Sequence, residues 1–102
     1  TRSFWLSFVD PDSRDGDRFK GVCVVDVTDD EAEEMKRELD ARFPQHADGA
    51  EWIAAAVRKS WEQGCNPGGE VGACEIPTTA PVARNRRLTN EELVRCGAQR
   101  LR

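Results

Sequence analysis

The stretch Trp52–Ile76, WIAAAVRKSWEQGCNPGGEVGACEI, leaves this chain few ways to fold. Trp52, Ile53, Ala56, Val57 and Trp61 recur at three- and four-residue steps, the spacing of one apolar stripe on a helix. Glu51, Arg58, Lys59, Glu62 and Gln63 fall mostly on the other side. Asp48 stands three residues before Glu51, the spacing of a capping box. Gly64 suits the left-handed residue that closes a helix, and Pro67 forbids its continuation. Asn66-Pro67-Gly68-Gly69 is then a turn, because proline presets φ and glycine accepts φ > 0. Glu70–Ile76 reads as a strand with Gly72, Cys74 and Ile76 on one face and Val71, Ala73 and Glu75 on the other. Pro77 stops it.

A glycine-rich loop beside a helix invites a phosphate-binding reading, and its polarity argues against one. Phosphate loops run from a strand into a helix N-terminus, where amide N–H groups face the anion. Here the loop leaves a helix C-terminus, whose carbonyls carry partial negative charge. The loop also lacks lysine, and Glu70 adds a negative charge. A Walker-type loop is excluded.

The flanking segments supply the rest of a sheet. Ser3–Val9 alternates, with Phe4, Leu6 and Phe8 on one face and Trp5 opposite. Asp10–Asp17 has the composition of a turn. It fails the EF-hand pattern, since Arg14 takes a ligand position and no helix flanks the loop. Arg18–Val27 forms a second strand with Gly21, Cys23, Val25 and Val27 on one side and Val22 and Val24 on the other. Apolar residues on both faces predict a strand covered on both sides, and Gly21 marks a bulge or a close approach.

Thr28 with Glu31 forms a capping box for a helix ending before Pro44, with a thin stripe of Ala32, Met35, Leu39 and Phe43. Its other face is densely charged, which predicts a peripheral helix over residues 28–44. Residues 77–102 read as a linker through Thr78-Thr79-Ala80-Pro81, a basic cluster Arg84-Asn85-Arg86-Arg87, and a short helix. That helix is capped by Thr89 and Glu92, stapled by Leu88 and Leu93, and ends at Gly97. The expected fold is a single small α+β domain, β-β-α-α-β plus a short C-terminal helix. Its helices pack on a mainly antiparallel three-stranded sheet of strands 4–9, 19–27 and 71–76. The 52–63 helix covers the inner face through Trp52, Ile53, Val57 and Trp61.

Composition narrows function. The chain has 102 residues and a net charge of −4, and 12 of its 15 basic residues are arginine. An acidic chain is not a default nucleic-acid binder, because phosphate neutralisation supplies most of that affinity. No apolar run approaches the ~20 residues a membrane span needs, and nothing reads as a signal peptide. An intracellular protein is expected, with no membrane partner. The four cysteines form no C-x-x-C pair, and His46 is the single histidine. No structural zinc site, metal or cofactor is therefore expected. The cysteines read as free thiols, three of them packed in the core and Cys65 exposed. Cys65 follows a helix C-terminus and has no histidine partner, so a cysteine nucleophile is disfavoured. Assembly of Glu70 with Cys65 is the one catalytic pairing left open, and no catalytic residue is assigned.

Phe19-Lys20-Gly21-Val22, a tryptophan-bearing helix, Gly64-x-Asn66-Pro67-Gly68-Gly69-Glu70-Val71 and an Arg-Arg-Leu-Thr segment together resemble a family of small, mostly uncharacterised bacteriophage and bacterial proteins. The resemblance implies a phage-type accessory protein in the cytoplasm of a bacterial host and brings no catalytic residues with it. The leading expectation is a non-enzymatic protein that binds and inhibits or redirects a host protein, one connected with host defence among the candidates. Its contacts would come from Glu33, Glu34, Arg37, Glu38 and Asp40 of the charged helix, together with Arg84 and Arg87. The alternative is a sponge for a small nucleotide-like ligand, using Trp5 or Trp52 as an aromatic platform, Asn66, Gly68 and Gly69 for backbone contact, and Arg84, Arg86 and Arg87 for phosphate. That site requires the Thr78–Pro81 linker to bend back, within one chain or in a homo-oligomer. A small enzyme is the weakest reading.

Overall fold

A computed structural model describes residues 1–9, 19–65 and 70–95. The Asp10–Asp17 loop, the Asn66–Gly69 turn, Cys96 and the predicted helix end at Gly97 lie outside the described residues. In chain order the elements are β1 (Arg2–Val9), β2 (Phe19–Val27), α1 (Asp29–Arg42), α2 (Ala50–Glu62), β3 (Glu70–Ile76), β4 (Arg86–Arg87) and α3 (Asn90–Arg95). The fold is α+β. The sheet has four strands in the order β3-β1-β2-β4, all paired antiparallel.

The alternation in β1 and β2 builds two cores, one on each face. Phe4, Leu6 and Phe8 stand opposite Val25, Cys23 and Gly21 across the β1–β2 ladder. With Val27 they bury against Ala32 of α1, Ala55 and Ala56 of α2, and Cys65. The other face carries Val22 and Val24, buried beneath Leu88 and Leu93, with Trp5, Ile76, Val82 and Ala83 packed around them. Burial of each such side chain contributes on the order of 1.5–3 kcal/mol.

The extra strand corrects the three-stranded expectation. Two residues have no period to read, so β4 has no signature of its own and forms through docking of the C-terminal segment. The Asn85 amide donates to the Val24 carbonyl at 2.7 Å and the Leu88 amide to the Val22 carbonyl at 2.8 Å. Asn85 takes a left-handed φ of 56° to make the corner, a conformation asparagine tolerates better than most residues. The linker does bend, through a turn closed by the Ala80 amide on the Pro77 carbonyl at 3.0 Å.

Gly21 is required where it stands. Its φ is 145°, and a Cβ there would lie 3.0 Å from Nε of Arg87. The β1–β2 register also shifts beside it, between Phe8 and Val9. Gly21→Ala should lower stability by about 1–3 kcal/mol, from backbone strain and the clash together, and denaturant unfolding checks this. An unchanged midpoint would show that the strand relaxes around the methyl.

The face of α2 differs from the predicted one. Ala56 lies at its centre, with Ala55 and Ser60 also buried and Trp52 packed at the margin. Trp61 is 47% exposed and Ile53 37% exposed. Trp61 lies one residue past Ser60, a rotation of about 100°, which carries it off the sheet. Small residues on the buried face let the helix sit close to the strands, and the largest side chains are left at the flank. Trp61→Ala should therefore shift stability by about 1 kcal/mol or less. A loss near 3–5 kcal/mol in thermal melting would return Trp61 to the core.

Two capping boxes form as predicted, at Thr28/Glu31 and Thr89/Glu92. The third does not. The N-cap of α2 is Gly49 in a left-handed conformation, with no side-chain cap. At the other end Gly64, with φ 87°, follows the helix in the left-handed conformation its position predicted. In the α1 stripe, Ala32 is buried and Phe43 is 63% exposed, so the helix packs through its first half. No described helix is long and apolar enough to cross a membrane.

Candidate protein-docking surface

β3 lies at the edge of the sheet and pairs with β1 alone among the described strands. α2 crosses β1 and β2, so β3 extends beyond its cover. Its helix-side residues Val71, Ala73 and Glu75 are exposed, and so are Gly72 and Cys74 on the opposite side. Val71 is 46% exposed beside its buried cross-strand partner Phe8. Natural sheets guard such edges with proline, lysine, bulges or very short strands. The opposite edge, β4, is two residues long. β3 runs for seven residues without proline or lysine, and its two charges, Glu70 and Glu75, stand towards its ends.

The N-terminal end of β1 closes one end of this edge. The Arg2 guanidinium donates to both Glu75 carboxylate oxygens, at 2.9 and 2.7 Å. It also stacks 4.8 Å from the Trp52 ring centroid and 5.4 Å from that of Phe4. This hydrogen-bonded pairing holds the Glu75 carboxyl below its usual range, and the pair lies open to water, where ion pairs contribute little. What remains accessible is the run Val71-Gly72-Ala73-Cys74. On the same side of the sheet, the α2 flank turned away from α1 carries Ile53 and Trp61. An open strand edge of small and apolar side chains is the arrangement that accepts an extended peptide.

The residues singled out from sequence are distributed differently. Arg84 is an internal clamp: it donates to Asp26 at 3.1 Å and to the Thr78 and Ala80 carbonyls at 2.8 Å each. Arg86 makes a two-pronged pair with Glu92, both contacts at 2.7 Å. That pairing pushes the Glu92 carboxyl down to about 2. Arg87 pairs with Cys23 across the sheet, and Arg86 with Val24, which places the two arginines on opposite faces. The three guanidiniums form no common anion site. Trp5 is half-buried in the second core, and Asn66, Gly68 and Gly69 lie outside the described residues.

On α1, Glu33, Glu34 and Arg37 are exposed. Glu38 accepts from Arg58 of α2 at 3.2 Å, and Asp40 meets Nε2 of His46 at 2.6 Å. A groove of about 210 Å³ between the helices is lined by Glu31, Glu34, Arg58, Lys59 and Glu62 with Met35 and Ala55. It is smaller than the ~300 Å³ at which ligand sites usually begin, and its walls carry both signs of charge.

Asp40 raises the His46 pKa above its ordinary value of 6.5 by hydrogen bonding. A raised folded value means that the pair stabilises the protein fully below the unfolded pKa. That contribution disappears as pH rises through the folded pKa. Melting temperatures from pH 5 to 8 should show a decline that His46→Gln removes. The same slope in the variant would assign it to another group.

Cys65 is buried, contrary to the exposed thiol expected, and Cys74 is exposed instead. Residues after a helix end usually meet solvent; here the left-handed Gly64 turns the chain inward and drops Cys65 onto Cys23, sulfur to sulfur at 2.6 Å. The Glu70 side chain lies outside the described residues. The openness of β3 was missed by sequence reasoning, although the small, uncharged run Val71–Cys74 followed by Pro77 was its available signal. Comparison with protein-family models, curated proteins and solved structures finds no match.

Proposed function

We propose that this chain is a non-enzymatic binding protein that docks a host protein, and that β3 is the strand it offers. An extended segment of the partner would add along the free edge, main chain to main chain. Its side chains would rest on Val71 and Ala73. The observation that carries the reading is the open edge of β3, paired with β1 alone among the described strands and accessible from Val71 to Cys74 without proline or lysine. Inhibition or redirection of that partner, in the manner of a phage accessory protein, is the action the sequence resemblance suggests. A nucleotide-like ligand has less support, because Arg84 and Arg86 are already paired within the fold.

Capture from host lysate tests the proposal when wild type is compared with Val71→Lys/Ala73→Lys. Both positions are exposed, so the variant should melt with wild type, while edge lysines oppose strand addition. A specific host protein retained by wild type should fall at least about tenfold with the variant, a difference of about 1.4 kcal/mol. Equal capture by a folded variant would move docking away from β3.

A further inference from the structure

We propose that Cys23 and Cys65 form an oxidative modification site, at which a small peroxide closes an intrachain disulfide between the centre of the sheet and the end of α2. The two sulfurs touch at 2.6 Å although their residues lie 42 apart in sequence. Cys23 is fully buried in β2, between β1 and β4, and Cys65 is 2% exposed. Gly64 holds the chain so that Cys65 points to the core. Among the described residues no group of three cysteine, histidine or acidic side chains could hold a metal ion.

Either thiol can donate the hydrogen bond between them, and the nearby Arg87 charge favours the thiolate at both sulfurs. Cys65, at the end of α2 and 2% exposed where Cys23 is fully buried, is the sulfur a peroxide meets first. In the first step the Cys65 sulfur attacks one peroxide oxygen and the O–O bond breaks. The departing hydroxide leaves as water with the thiol proton, and Cys65 becomes a sulfenic acid. The Cys23 sulfur then attacks that sulfur and the S–O bond breaks. A second water carries away the Cys23 proton. The two sulfurs lose two electrons in all, and one peroxide becomes two waters. Hydrogen peroxide is small enough to reach a buried pair with little opening, unlike a bulky disulfide reagent.

Closing this loop ties α1 and α2 to the sheet and should raise the melting temperature by on the order of 10–20 °C. The test uses the full chain with Cys74→Ser and Cys96→Ser, so that two thiols remain. After hydrogen peroxide, quenching, denaturation and alkylation, the expected product lacks two hydrogens, takes up no alkyl label and yields a peptide joining residues 23 and 65. Dithiothreitol should restore both labels and lower the melting temperature again. Two alkylated thiols at peroxide levels that oxidise Cys74 in the wild-type chain would overturn the proposal. Oxygen addition at either sulfur without a linked peptide would do the same.

Discussion

Leu6→Ala is expected to lower stability by about 3–5 kcal/mol, the upper part of the range for buried leucines. Leu6 is fully buried in β1, between β2 and β3. It faces Cys23 on one side and Ala73 on the other. The core it shares with α2 is built from Ala55, Ala56 and Cys65, with Trp52 and Val57 packed against it from the margin. Alanine and cysteine offer little volume to slide into the space, so much of the cavity stays open. The same substitution at the exposed Val71, where no cavity forms, should cost far less. Denaturant unfolding of the two variants checks the contrast. Comparable losses would mean that β3 is covered after all.

Arg84→Ala is expected to cost about 2–4 kcal/mol, because it leaves partly buried acceptors without a donor. The guanidinium side chain is 20% exposed and bonds Asp26 and two linker carbonyls at once. Asp26 also accepts from the buried Ser3 hydroxyl at 2.6 Å. Loss of Arg84 therefore loosens the linker, and with it the Leu88 and Leu93 cover of the second core. Arg84→Lys should recover only part of the loss, since an ammonium cannot match the planar fork. Retained protection of the Asn85 and Leu88 amides in Arg84→Ala would refute this coupling.

Much of the fold was legible in the residues. Phe4, Leu6 and Phe8 alternating against Cys23, Val25 and Val27 specify a hairpin with a definite inner face, and Val22 with Val24 demands cover on the outer one. Thr28/Glu31 and Thr89/Glu92 mark two helix starts with side chains that do cap them. What escaped depends on contacts distant in sequence. Choosing the largest apolar residues rotated α2 toward Trp61, whereas close packing selected Ala55, Ala56 and Ser60. A run of three arginines in four residues looks like one basic patch. Strand pairing sends Arg86 and Arg87 to opposite faces, and Arg84 turns inward to the linker. Of the candidate surface, the apolar character of Val71 and Ala73 could be read directly. That α2 stops short of β3 is a matter of how the layers stack, and no local pattern encodes it.

Hydrogen–deuterium exchange of the protein, free and with the host protein it captures, tests the docking proposal most directly. Strand addition should slow exchange at amides of β3 on the side away from β1. The charged α1 face and the Arg84–Arg87 segment should keep their free rates. New protection across Glu33–Asp40 or Arg84–Arg87, with Val71–Cys74 unchanged, would contradict β3 as the docking strand.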